Sequence, residues 1–281
     1  MIEVDEFELW LDRGEEVPLI IRGEAHIPAD PVATVVICHG FKGFAHWAFF
    51  PYLATEIGNA GMRAITFDFS GSGIGEDREN FTNPVAFTHN TYRQELDDLS
   101  SVISEARVRD WIEDDFGLFG HSRGGGVAIL HAARDRSVKV LVTWSSISST
   151  NRWTQATVAE WRKRGYMDIE NSRTGQTIPL ATDLLREVEQ HGGTSLNLAA
   201  AASRIDLPWL IVHGSGDETV PMEEAEHLHD LSRRSSTLRV IQGANHTFDA
   251  RHPLTQTPPN LKTVTAETVT FFADHLKKPV M

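Results

Sequence analysis

Residues Phe119-Gly120-His121-Ser122-Arg123-Gly124 place a serine in the pattern G-x-S-x-G, with a short apolar run before it and a segment of helical period after it. A sharp strand-to-helix turn needs small residues at the flanking positions so that the backbone can pass closely, and it presents the Ser122 hydroxyl at the strand's C-terminal end. The positive end of the following helix faces the same point and favours negative charge developing there. A serine hydroxyl is a weak nucleophile near neutral pH, so it needs a general base and a group that orients the base. Downstream, Leu210-Ile211-Val212-His213-Gly214-Ser215-Gly216-Asp217 sets Asp217 just past an apolar run, and Gly243-Ala244-Asn245-His246 sets His246 just past the next. The order Ser122, Asp217, His246 is that of nucleophile, acid and base in one class of serine acyl-transfer enzymes.

Acyl transfer also needs donors for the oxyanion. His39-Gly40-Phe41-Lys42-Gly43 follows the first buried run, where such a loop belongs, and the backbone N–H groups of Phe41 and Arg123 are the expected donors. Trp144, Trp153 and Trp161, with Tyr166, are candidates for an aromatic-lined substrate pocket, plain core packing being the alternative for each. The Arg123 side chain directly follows the nucleophile and is read either as packing or as a partner for an acyl carboxylate.

The chain has 13 histidines, so His246 is preferred for its place and not its chemistry. His39, His121 and His213 also lie near strand ends and have structural readings. Asp249 and His252 are close to His246 in sequence, but Asp217 follows its own strand and is the stronger partner. Asp68, in FDFSGSG, is expected to pin the glycine-rich loop through bonds to backbone N–H groups. That loop lacks the third glycine of a dinucleotide fingerprint, since Glu76 stands there, so nicotinamide binding is not expected. His227 and His229 are two apart on a helical segment, and no HExxH is present, so no zinc site is expected. The acyl-transfer chemistry itself requires no cofactor and no metal.

The elements that must hold these residues are legible as an alternation. Val4, Phe7 and Leu9, then Leu19 and Ile21, suggest an antiparallel hairpin with one wet face. Short continuous apolar runs follow at Thr34–Cys38, Ala64–Phe69, Gly117–Phe119, Val138–Trp144, Trp209–Val212 and Leu238–Ile241, the length of strands buried on both faces. Between them Phe49–Gly58, Thr91–Ala106, Gly125–Ala133, Glu223–Leu231 and Val264–Leu276 carry apolar residues at helical spacing. This predicts a mostly parallel sheet covered on both faces, with Ser122, Asp217 and His246 at C-terminal strand ends. From about Thr150 to Ile205 no strand-like run is found, only helical stretches and a polar NSRTGQT segment, which predicts a small helical cap inserted into the core. Residues 1–149 and 206–281 are thus read as one catalytic core, and 150–205 as the cap.

A balance of 26 Lys+Arg against 39 Asp+Glu gives a net charge of −13, a surface that repels phosphate backbones and anionic lipid, so nucleic acid and membrane partners are not expected. Cys38, the single cysteine, cannot form an internal disulfide, and the acidic N-terminal stretch lacks the basic region of a signal peptide, so a cytoplasmic protein is expected. The N-terminal hairpin offers edge strands, leaving monomer and homodimer both open.

HGFKG, FDFSGSGIGE, GHSRGGG, GSGDETVP and GANHTF together make the chain resemble the α/β-hydrolase superfamily, and within it the dienelactone-hydrolase-like and prolyl-oligopeptidase-like serine esterases. The resemblance spans nearly the whole chain and is weakest in the cap. It implies the α/β-hydrolase fold, with a mostly parallel eight-stranded sheet, helices on both faces and a helical cap. It also implies Ser122 as nucleophile, Asp217 as triad acid, His246 as base and Phe41 with Arg123 as oxyanion donors. Dienelactone hydrolases proper carry a cysteine nucleophile, so specificity for cyclic lactones is not implied here. A further likeness to bacterial cinnamoyl and feruloyl esterases suggests aromatic acyl groups. The expected function is hydrolysis of small, medium or aromatic carboxylic esters through an acyl-enzyme. A thioesterase or acyltransferase using the same triad, and a non-catalytic ligand receptor on the same fold, are the alternatives.

Overall fold

The computed structural model describes residues 1–12, 14, 19–171 and 175–276. Strands β1 (Glu3–Leu11) and β2 (Leu19–Ile27) pair antiparallel, with Glu3 opposite Ile27 and Leu11 opposite Leu19. The β1–β2 connection falls largely outside the described residues. There follow β3 (Thr34–Cys38), α1 (Phe49–Asn59), β4 (Arg63–Asp68), α2 (Pro84–Thr88), α3 (Tyr92–Val108), β5 (Phe116–His121), α4 (Arg123–Ala132) and β6 (Val138–Trp144). Beyond β6 come α5 (Gln155–Arg164), β7 (Tyr166–Asn171), β8 (Gln176–Ala181), α6 (Asp183–His191) and α7 (Leu198–Ala202). The chain then returns through β9 (Trp209–Gly214), α8 (Met222–Ser232), β10 (Ser236–Ile241) and α9 (Pro259–Leu276). One eight-stranded sheet has the order β1-β2-β4-β3-β5-β6-β9-β10, and from β4 onward every neighbouring pair is parallel.

Period-two alternation inside wholly apolar strands divides the core. On β3, Val36 and Cys38 enter the cluster beneath α3, α4 and α8, whereas Val35 and Ile37 enter the one beneath α1 and α9. Both faces are therefore dry, and all the parallel strands point their C-terminal ends to one rim. Among the described residues no helix is long and apolar enough to cross a membrane.

The 150–205 interval differs from its expectation in one respect. It carries the helices α5, α6 and α7, but also an antiparallel ribbon of β7 and β8, with Tyr166 opposite Ala181. Strands were not expected there because the polar residues 171–177 read as a loop; Asn171 instead ends β7 and Gln176 begins β8, while 172–174 lie outside the described residues. The ribbon stands apart from the main sheet and packs on α2, a short helix that the periodicity did not reveal. Proline at its first position and the Asn83 side chain, accepting from Ala86 N–H at 3.3 Å, start that helix.

Candidate active site

At the rim, β5 ends in a turn that places Ser122 at φ 55°, ψ −121°, immediately before α4. A non-glycine residue persists there only when its surroundings over-determine it. Here Ser122 N–H donates to the Trp144 carbonyl at 2.9 Å, and the Ser122 carbonyl accepts from Gly125 N–H at 3.0 Å. The neighbouring glycines are demanded by contact. A Cβ on Gly120 would lie 2.4 Å from the Gly124 carbonyl oxygen, and one on Gly124 would lie 2.2 Å from the His39 carbonyl oxygen.

Asp217 and His246 follow β9 and β10, two adjacent parallel strands, and converge although 29 residues apart: His246 Nδ1 lies 2.8 Å from Asp217 Oδ2. A carboxylate only accepts, so Nδ1 carries the hydrogen, and in the neutral ring Nε2 holds the lone pair. Asp217 Oδ1 meanwhile accepts from Thr219 and Val220 N–H, each at 2.9 Å. Burial alone would raise this carboxyl. The His246 hydrogen bond and charge, with the two backbone donors, outweigh it and bring the pKa down to about 2.

The loop after β3 is closed by Gly43 N–H donating to the Gly40 carbonyl at 2.9 Å. His39 fixes it to the sheet: Nε2 accepts from Phe69 N–H at 3.1 Å, so Nδ1 carries the hydrogen and donates to the Gly40 carbonyl at 2.8 Å. Burial lowers its pKa to about 4, keeping the ring neutral. Phe41 is thereby held at the rim beside Arg123, whose N–H is among the first-turn donors of α4 that have no intrahelical acceptor.

His121 and His213 serve as supports. His121 Nε2 donates to the His246 carbonyl at 3.0 Å, and burial pushes its pKa down to about 3. His213 Nε2 donates to the Val220 carbonyl at 2.8 Å, bracing the turn that presents Asp217. The other candidate partners near His246 are engaged elsewhere. Asp249 accepts from Asn260 Nδ2 at 2.7 Å, and His252 Nδ1 accepts from Ala48 N–H at 3.0 Å. Asp68 is structural as expected, but its partner differs. It accepts from Ala45 N–H at 2.6 Å in the loop after β3, while Asp98 binds Ser70 N–H at 2.8 Å before the glycine-rich turn. Cys38 is buried in β3, and burial raises its thiol well above the usual range.

Ser122, only 8% exposed to bulk solvent, opens into a cavity of about 570 Å³ that His246, Phe41 and Arg123 also line. Trp153 is on its wall. Trp144 and Trp161 are not. Trp144, fully buried, turns into the core between α1 and α9 and donates to Thr268 Oγ1 at 2.9 Å; Trp161 is 1% exposed and donates to the Leu180 carbonyl at 3.0 Å. Tyr166 lies exposed at the start of β7. The wall is instead completed by Tyr92 of α3, Leu184 of α6, and Met167, Ile169 and Leu180 of the ribbon. The alternation Met167, Ile169 and Ile178, Leu180 is the period-two signal that would have found this wall.

Behind Ser122 the Arg123 side chain makes a buried ion pair, Nε to Glu95 Oε2 at 3.0 Å, with its Cζ 4.2 Å from the Tyr92 ring centroid and 5.0 Å from that of Phe41. Burial raises the Glu95 carboxyl, opposed by Arg123 and by Asn90 Nδ2 at 3.1 Å.

A mostly parallel sheet with a serine elbow after β5 and an Asp–His pair after β9 and β10 is the α/β-hydrolase fold. Residues 29–183 match the model of the Hydrolase_4 family, described as serine aminopeptidase, S33, and the chain belongs to that family. It is 33% identical over 110 residues to an uncharacterized 31.7 kDa protein of the traX-finO intergenic region of Escherichia coli, a match covering 39% of this chain and 35% of that protein. It is 27% identical over 228 residues to 2,6-dihydropseudooxynicotine hydrolase of Paenarthrobacter nicotinovorans, covering 80% of this chain and 54% of the relative. The chain thus spans between about a third and about half of the length of these two relatives. Est1E from Butyrivibrio proteoclasticus, solved with ferulic acid bound, superimposes with a TM-score of 0.69 at 21% identity over 92% of this chain and 96% of its own.

Proposed function

We propose that the protein is a serine hydrolase of carboxylic esters, working through an acyl-enzyme. Ser122 Oγ attacks the ester carbonyl while His246 Nε2 takes its proton, and the oxyanion is held by the N–H groups of Phe41 and Arg123. His246 then returns the proton to the leaving alkoxide. Water, activated by the same imidazole, releases the acid and restores Ser122. Asp217 orients the ring and stabilises the imidazolium.

The observation that carries this reading is the 2.8 Å bond of His246 to Asp217 at the edge of a cavity that Ser122 also lines. The 150–205 insertion acts as a cap whose ribbon forms the acyl-facing wall. The aminopeptidase description of the family fits this cavity less well. An aminopeptidase must hold an α-ammonium group, whereas the wall carries Lys42, Arg123 and Arg152 and, among the described residues, no Asp or Glu.

The test is steady-state hydrolysis of p-nitrophenyl esters from acetate to decanoate, an aromatic acyl ester and an aminoacyl p-nitroanilide, with wild type, Ser122→Ala and His246→Ala. Ester turnover that falls by about 10⁴-fold or more in both variants is expected. Absence of ester turnover, or full activity in Ser122→Ala, overturns the assignment. Exclusive cleavage of the anilide establishes the aminopeptidase instead.

A further inference from the structure

We infer that Arg123 makes the cavity a receptor for a carboxylate at the far end of the acyl chain, so that the esters it takes are monoesters of dicarboxylic acids. This rests on the reading of Ser122 as nucleophile and His246 as base, and adds the substrate class.

Arg123 is 5% exposed and lines the cavity next to Ser122. Its guanidinium lies against the rings of Phe41 and Tyr92, which leaves its N–H edges for hydrogen bonding. One edge position is taken: Nε donates to Glu95 Oε2 at 3.0 Å. Glu95 does not close the usual two-point fork, because its Oε1 accepts from Asn90 Nδ2 at 3.1 Å. Nη2 is buried and, among the described residues, hydrogen-bonds to no protein atom. A buried cationic donor without an acceptor is unfavourable, and a substrate carboxylate that reaches the guanidinium past Phe41 and Tyr92, which also line the cavity, would satisfy it.

The rest of the wall favours an anion. The described lining residues include Lys42, Arg123 and Arg152 and no carboxylate, in a chain whose net charge is −13, with Arg152 paired to Glu224 behind the wall. Position selects the acyl side. His246 protonates the leaving group and stands beyond β10, whereas Phe41 and Tyr92 come from the loop after β3 and from α3. Strand β3 lies on the opposite side of β5 from β9 and β10, so the leaving group faces His246 and the acyl chain faces Arg123. Leu184 and Ile147 also line the cavity and give apolar surface for the methylenes between the two ends.

The experiment compares kcat/KM for p-nitrophenyl monoesters of adipic and suberic acids with that for the hexanoate and octanoate esters of matching length. Wild type is expected to favour the anionic member of one pair by about tenfold to a hundredfold, the range of a charge-assisted hydrogen bond. Arg123→Met is expected to bring that ratio to about one or below by weakening the anionic arm, and Arg123→Lys to retain part of it. A merely structural role for Arg123 lowers both arms together and leaves the ratio as in wild type, which overturns the inference. So does a wild-type ratio near one at both lengths, with ester hydrolysis itself left standing. Calorimetric binding of the monoamides of adipic and suberic acids against hexanamide and octanamide, on Ser122→Ala protein, reads the site without turnover. Tighter binding of an acid monoamide than of its matched neutral amide, with no ester cleaved, sinks the proposed hydrolysis and keeps the carboxylate site. Equal binding at both lengths removes the site.

Discussion

His121 and His246 are joined through the backbone: the His121 ring, one residue before Ser122, donates Nε2–H to the His246 carbonyl at 3.0 Å, with the two rings 4.7 Å apart. The elbow of β5 and the loop after β10 are thus one hydrogen-bonded unit. The spacing of Ser122 from His246 therefore depends on a histidine that performs no proton transfer, since burial keeps it neutral with a pKa of about 3. His121→Phe preserves ring volume and removes the donor. It is expected to lower kcat for ester hydrolysis by about tenfold to a hundredfold, the effect of leaving a buried carbonyl without its partner, while KM stays within about twofold. Steady-state kinetics check this, and an unaltered kcat would show that the loop is positioned by other contacts.

Asp217 has two duties that an amide separates. Asp217→Asn retains an Oδ1 acceptor for Thr219 and Val220 N–H, so the turn after β9 is expected to keep its shape. Toward His246, however, the amide NH₂ is a donor. The ring must then present Nδ1 as acceptor and carry its hydrogen on Nε2, the wrong tautomer for taking a proton from Ser122. The expectation is a fall in kcat of about 10⁴-fold with unfolding behaviour close to wild type. Kinetics and urea denaturation on the same preparation decide it; activity within tenfold of wild type would separate Asp217 from the base.

The parts of this arrangement that the sequence made legible are those written into short segments. Strands β3 and β6 match the apolar runs Thr34–Cys38 and Val138–Trp144 residue for residue, because strands covered on both faces are buried at every position but Lys139 and so read as continuous runs. Ser122 was legible because the elbow tolerates so few residues around it, and Asp217 and His246 because each follows a strand. Trp144 misled because a strand's last residue points to one of two faces, and the pattern alone does not say which. The β7–β8 ribbon was hidden by the polar residues at the facing ends of its strands, Asn171, Gln176 and Thr177. The pairing of Arg123 with Glu95 joins residues 28 apart on different helices, and no local pattern carries it.

Asp68 offers a pH test whose sign follows from burial. It lies at the end of β4, accepts from Ala45 N–H at 2.6 Å, and has Arg78 Nε 3.7 Å away. Burial pushes its carboxyl up to about 6, against the Ala45 N–H and the charges of Arg78 and His46, from an ordinary 3.8. The folded protein therefore holds the proton through a window in which the unfolded chain has lost it. Stability from this group is present below about pH 4, falls as pH rises through the window, and is fully lost above about pH 6. Asp68→Asn cannot titrate, and its amide oxygen still accepts from Ala45. Relative to wild type the variant is expected to gain on the order of 2–3 kcal/mol between pH 4 and pH 7, the equivalent of the raised pKa at 1.36 kcal/mol per unit. Urea unfolding of both proteins at pH 4, 5, 6 and 7 measures the difference. A gap that stays constant with pH would mean that Asp68 is ionised throughout, held so by Arg78, and that the loop after β3 rests on a carboxylate and not on a neutral acid.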